Sequence, residues 1–176
     1  TLESSSAASD VYKRQDTYRT LTAVDAAVMV IDGAKGVESQ TKKLFEVCRL
    51  RDLPIFTFCN KMDRESRDFF EIIDEIQDNL AIDVTPVSWP IGVGQDFIGC
   101  YDLINDSLEL IDKANRNHAV ESIKINGLED PELQKHVPDR LLTKLVEEVE
   151  MVRSLLPKID KKSILEGHLT PIWFGS

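Results

Sequence analysis

Ala26 to Ile31 is an unbroken apolar run that stops at Asp32 and Gly33. A run of this length, closed by a turn signal, predicts a strand buried on both faces. From Ser39 to Arg51, Leu44, Val47 and Cys48 recur at helical spacing, and Pro54 stops the pattern. Ile55 to Cys59 forms a second apolar run, ended by Asn60. Strand, helix and strand in that order predict a parallel sheet with a right-handed crossover. Arg64 to Leu80 predicts another helix, with Phe69, Ile73, Ile76 and Leu80 on one face. Glu65, Asp68, Glu71, Asp74, Glu75 and Asp78 crowd its other faces, a pattern that fits a solvated surface better than a metal or partner site.

Beyond Asp83 the pattern changes. Val84 to Trp89, Phe97 to Leu103 and Ala119 to Ile125 are short, β-leaning pieces separated by Gly, Asn and Pro. They predict an antiparallel sheet. Pro138 to Leu156 carries Leu141, Leu142, Leu145, Val146, Val149 and Val152 on one side, between a first-turn proline and the stop at Pro157. Asp160 can cap a short helix that closes at Gly167, and Leu169 to Phe174 is a last apolar strand. Thr1 to Gln15 is rich in Ser and Ala and has no sustained period. It reads as a disordered leader, foreign to the rest of the chain.

Composition narrows the class. The 176 residues are 42% hydrophobic and 30% charged, as in ordinary globular domains. Lys and Arg number 21 against 31 Asp and Glu, for a net charge of −10. Such a chain repels phosphate backbones, so direct DNA binding is not expected. Cys48, Cys59 and Cys100 are odd in number and widely spaced, which fits a reducing, cytoplasmic setting. No apolar run approaches the roughly 20 residues that span a bilayer.

Asn60-Lys61-Met62-Asp63 comes directly after the second buried strand. In open α/β sheets, ligands bind beyond the carboxyl ends of the strands. The residue types suit a guanine base. A carboxylate can accept from both the ring N–H and the exocyclic amino group, a donor pair that adenine lacks. An Asn amide can tie the base to a neighbouring loop, and a Lys can lay its methylene stem along the base while its ammonium stays in water. The competing interpretation is a polar turn whose Asn and Asp serve only turn chemistry. Gly92-Val93-Gly94 reads as a turn rather than a phosphate loop. His118, His136 and His168 lack a metal-ligand spacing, and Cys59 reads as a small buried residue.

Asn60-Lys61-x-Asp63 resembles the guanine-specificity motif of translational GTPases. Asp16-Thr-Tyr-Arg-Thr-Leu-Thr-Ala-Val-Asp25, Cys48-Arg-Leu-Arg-Asp52, Pro54-Ile-Phe-Thr-Phe58, Trp89-Pro-Ile-Gly92 and Leu169-Thr-Pro-Ile-Trp-Phe-Gly-Ser176 narrow the resemblance. Together they are similar to bacterial peptide chain release factor 3, with elongation factor G a more distant relative. The resemblance covers Asp16 to Ser176 and implies an α/β fold, the C-terminal half of a P-loop GTPase domain with an α+β insert subdomain. Residues 16–82 and 166–176 would form the partial GTPase domain, 83–165 the insert, and 1–15 a leader outside the family. Asn60, Lys61 and Asp63 would bind the base. Gly175-Ser176 matches the start of the family's Gly-Ser-Ala loop, in which the serine supports the base-reading aspartate.

The resemblance further implies GTP and GDP as ligands, with magnesium in the intact parent. It implies a monomeric parent that acts on the ribosome, where it drives GTP-dependent release of class I release factors in termination. The sequence contains no Gly-x-x-x-x-Gly-Lys-Ser/Thr, no Asp-x-Pro-Gly-His and no effector loop. No catalytic residue or metal ligand of the family is therefore expected here, and these 176 residues are not expected to hydrolyse GTP. The apolar strand at Ala26 to Ile31 would then leave an edge uncovered and the piece poorly stable. Other readings stay open: a non-catalytic acidic module that docks on the ribosome, or a piece of elongation factor G or a ribosomal protection protein.

Overall fold

The computed structural model describes residues 20, 21, 23–111 and 122–176. The predicted leader, residues 1–15, half of the Asp16–Asp25 match, His118 and the start of the predicted strand at Ala119 lie outside them.

The first apolar run forms β1 (Ala27–Asp32), and α1 (Ser39–Arg49) crosses to β2 (Ile55–Asn60). The chain then enters α2 (Phe69–Leu80) and β3 (Asp83–Pro86). The last strand, β8 (Leu169–Phe174), inserts between β2 and β3, which gives a four-stranded parallel sheet in the order β1-β2-β8-β3. Thr57 and Thr170 are buried in its centre, where their hydroxyls lie 2.9 Å apart and Thr170 Oγ1 donates to Ile55 O. Pairing of this kind is what makes a buried polar group tolerable.

Several boundaries differ from the sequence reading. Helix α2 begins at Phe69 rather than Arg64, because Asp68 caps it by accepting from Phe70 N and Glu71 N. It ends at Ala81 in the left-handed region. Val84 to Trp89 is not one antiparallel strand. Asp83–Pro86 joins the parallel sheet beside β8, although it falls inside the range read as insert. After Val87 the chain continues as β4 (Ser88–Ile91) in a second sheet.

That second sheet is antiparallel, as its sequence pattern predicts. Strands β4, β5 (Gly99–Asp102), β6 (Ser107–Leu110) and β7 (Ser122–Lys124) follow one another in order. Strand β6 and the short helix α3 (Pro131–His136) are absent from the sequence reading. Helix α4 (Asp139–Leu155) packs beside β4, with Pro138 at its N-cap rather than inside its first turn. Helix α5 (Lys161–Leu165) is capped by Asp160 through Ser163 N and is followed by Gly167 at φ +73°.

The two sheets share one core. Trp89 is fully buried and its ring meets Phe69, Phe70 and Phe174. Val87 bridges the sheets: its N–H donates to Ile172 O and its carbonyl accepts from Leu103 N, both at 2.8 Å. Strand β1 is only half covered. Ile31 is buried, but Val28 and Val30 are 67% and 58% exposed, so the prediction of a strand buried on both faces does not hold at this edge. No helix among the described residues is long and apolar enough to cross a membrane.

Candidate functional site

Strands β1, β2 and β8 end side by side. Asp32 is in register with Asn60, and Cys59 with Phe174. The residues just past these ends therefore meet in space although they are far apart in sequence. All five predicted site residues, Asn60, Lys61, Asp63, Gly175 and Ser176, lie in this one cluster of loops.

Backbone bonds join its two halves. Gly175 N donates to Cys59 O at 3.0 Å, and Met62 N donates to Gly175 O at 3.1 Å. The Ser176 hydroxyl then reaches Asp63 Oδ1 at 2.6 Å. Asp63 is exposed and its Oδ2 has no hydrogen-bond partner among the described residues. A carboxylate fixed by one donor keeps enough free lone pairs to accept two parallel N–H groups. Gly175 permits the close approach of the halves, since a Cβ there would come within 2.9 Å of the Phe58 ring.

The loop itself is tightly turned. Lys61 sits at φ +71°, a left-handed conformation that is uncommon for a side-chain-bearing residue. Asn60 Oδ1 accepts from Lys61 N at 2.8 Å and stabilises that turn locally. Arg64 N closes it onto Lys61 O. Met62 points inward and is fully buried, with its Cε so close to Gly33 that a Cβ there would meet it at 2.2 Å. Buried Met62 thus anchors the loop while Asp63 stays in solvent.

The Lys61 ammonium is not simply solvated, which corrects the sequence reading. It pairs with Asp32 Oδ2 at 2.5 Å. Asp32 Oδ1 also accepts from Ala34 N at 3.0 Å. Lys61 foremost, and then the Ala34 amide, hold the Asp32 carboxyl below its ordinary value. One residue before Asn60 on β2, Cys59 is fully buried and its thiol is pushed up to about 12, chiefly by burial and further by the charge of Asp32. It is accordingly no thiolate nucleophile at neutral pH.

Sequence reasoning missed two participants. Asp32 was detectable in principle, because it ends a parallel strand as Asn60 does. Gly94 is a turn residue at φ +62°, as its sequence context predicts, and its N–H also donates to Met62 O at 2.9 Å. A bond between the second sheet's first loop and the base loop leaves no trace in sequence spacing.

A parallel α/β sheet with this loop pair beyond its strand ends defines part of a GTPase-type nucleotide-binding domain. The chain belongs to the family of the elongation factor Tu GTP binding domain, which matches residues 14–176. It is thus part of a GTP-binding domain of the translation-factor type. Its fold is also similar to a crystal structure of a protein from Thermus thermophilus, with a TM-score of 0.61 at 16% identity. That match covers 90% of this chain and 25% of the solved one, so the chain spans about a quarter of that protein's length.

Proposed function

We propose that this chain carries the guanine-reading part of a translational GTPase that frees class I release factors from the ribosome during termination. The observation that carries the base assignment is the Ser176–Asp63 hydrogen bond at 2.6 Å, which orients an exposed carboxylate at the strand ends. Asp63 would accept from the guanine ring N–H and the exocyclic amino group. Such a paired contact is worth about 1–3 kcal/mol against a wrong base, or roughly tenfold to a hundredfold. Asn60 stabilises the loop through Lys61 N, and the Lys61 stem supplies a flat apolar contact for the base. Gly175 and Ser176 hold Asp63 from the other side.

The termination role rests on the resemblance at Cys48–Asp52, Trp89–Gly92 and Leu169–Ser176. Ribosome and class I release factors are accordingly the proposed partners of the whole protein. Magnesium and the phosphates belong to chemistry for which this sequence holds no Gly-x-x-x-x-Gly-Lys loop. When bound, the metal neutralises charge on the phosphates, and transfer depends on that positioning. The 176 residues alone therefore bind the base end of the nucleotide and do not turn it over.

Competition against a fluorescent GDP analogue tests this. GDP should displace it at least about tenfold better than ADP, and Asp63→Asn should shift preference toward xanthosine diphosphate, whose C2 carbonyl needs a donor. Equal competition by GDP and ADP would remove the base assignment and favour an acidic docking module instead.

A further inference from the structure

We infer that Ser88 and Cys100, on the first two strands of the antiparallel sheet, are positioning residues for the base-reading pair Asp63–Ser176, acting through the Phe174 peptide. The inference rests on the guanine reading of that pair and goes beyond it, because neither residue belongs to the base loop.

The argument starts from an interrupted sheet edge. Strand β3 pairs with β8 only as far as Pro86 opposite Ile172. Val87 N makes one more bond, to Ile172 O, and the chain then leaves for the second sheet. Phe174, two residues further along β8, has lost that backbone neighbour while it remains buried. A buried peptide group without a partner loses its hydrogen bonds to water and gains none in return, so it needs another donor and acceptor. Two side chains take the place of the missing strand. Ser88 Oγ accepts from Phe174 N at 2.9 Å and lies 3.3 Å from Phe174 O, to which it can donate. Cys100 Sγ donates to the same carbonyl at 3.0 Å.

Immediately after Phe174 the chain enters the base site. Gly175 bonds Cys59 and Met62, and Ser176 bonds Asp63. The position of the Ser176 hydroxyl is therefore set by a peptide that the second sheet grips. The loop between the same two strands also holds the other half of the site, through Gly94 N on Met62 O. Two strands of the antiparallel sheet and the loop between them thus clamp both halves of the loop pair. The Phe174 ring adds packing, at 5.6 Å from Phe69 and 5.5 Å from Trp89. Burial pushes the Cys100 thiol up to about 12, so it stays a donor throughout the neutral range.

The 176-residue chain tests the inference, titrated with GDP, IDP and ADP and followed by ligand-observed NMR. IDP lacks only the exocyclic amino group of GDP, so the GDP-to-IDP affinity ratio reads the alignment of Asp63. Mere loss of folded protein lowers the bound fraction for both ligands and leaves the ratio alone. Ser88→Ala and Cys100→Ala should each lower the ratio about fivefold, the effect of a lost hydrogen bond, while Cys100→Ser, which keeps a donor, should restore it to within about twofold. Amide exchange at Met62 and Gly175 should rise about tenfold in Ser88→Ala, with Tyr101 in β5 unchanged. If Ser88→Ala does not fold, the Cys100 pair of variants decides. A wild-type chain that prefers GDP over ADP, with an unchanged ratio and unchanged exchange in the alanine variants, overturns the positioning role alone. No preference for GDP over ADP in the wild type overturns the base assignment and this inference together.

Discussion

Lys61 Nζ lies 2.5 Å from Asp32 Oδ2, tying the base-loop lysine to the end of the neighbouring strand. The bond spans two adjacent parallel strands, because Asp32 is in register with Asn60. It also opposes the conformational cost of Lys61 at φ +71°. The folded-state pKa of Asp32 is lowered, by Lys61 first and the Ala34 amide second. Its stabilising contribution is therefore complete above the ordinary carboxylate value, about 3.9, and lost as pH falls through the lowered folded value. Urea denaturation between about pH 5 and pH 2 should show a steeper loss of stability in the wild type than in Asp32→Asn. Parallel profiles for the two proteins would show that the pair contributes nothing to folding.

The second prediction concerns Ser176. Its hydroxyl is the one donor to Asp63 among the described residues, and both side chains are exposed. Removing it should leave folding stability nearly unchanged, since surface substitutions usually cost under about 0.5 kcal/mol. It should nevertheless weaken GDP binding about tenfold, as a hydrogen bond to a charged group is worth about 1.5–3 kcal/mol. Thermal melting and nucleotide competition on Ser176→Ala separate the two effects. Equal losses of GDP and ADP affinity would mean that the hydroxyl does not orient the base reader.

The parallel half of this fold is legible in sequence for a definite reason. Each of its longer strands is an apolar run with a polar or glycine stop, and Asn60 and Gly175 mark where two of them end. The stops are where ligands bind, so the candidate site came with the strands. The antiparallel half is less legible. Strand β6 has four residues, too few for a period, and its register depends on the turn at Asp106, φ +50°. Helix α3 has a cap at Asp130 and a proline at its start, yet its six residues show no apolar stripe. Contacts such as Gly94 on Met62, or Cys100 on Phe174, join positions that only the assembled sheets bring together.

A third prediction tests how the second sheet is fastened to its helix. Trp89 Nε1 donates to Glu148 Oε2 at 2.8 Å, and both residues are buried. Lys144 reaches the other carboxylate oxygen at 3.5 Å from a largely exposed position. Trp89→Phe keeps an aromatic ring among Phe69, Phe70 and Phe174 but leaves the carboxylate short of a donor. The expected cost is about 3 kcal/mol, from the unsatisfied charge and the lost indole volume together. Adding Glu148→Leu should recover part of it, because removing both partners of a buried polar pair costs less than removing one. A double-mutant cycle by urea denaturation measures this, and strict additivity would show that the two side chains are energetically independent.

The last prediction comes from β1. It ends the order β1-β2-β8-β3, so one side of its backbone has no strand partner among the described residues. Val28 and Val30 stand exposed on it, and Leu21, Ala27 and Met29 line an apolar hollow of about 200 Å³ beside it. An unpaired, flat, apolar edge is a template for pairing with another chain. The wild-type 176-residue chain should therefore self-associate as its concentration rises. Lysine at positions 28 and 30 should suppress this, since charge on an edge strand blocks approach. The substitutions should cost little within the chain, as neither side chain contributes to the buried core and strand propensities differ by only about 1 kcal/mol. Sedimentation velocity over a concentration series decides the matter. A wild type whose sedimentation coefficient does not change with concentration would show that this edge is protected, and the double lysine variant would then bring no gain.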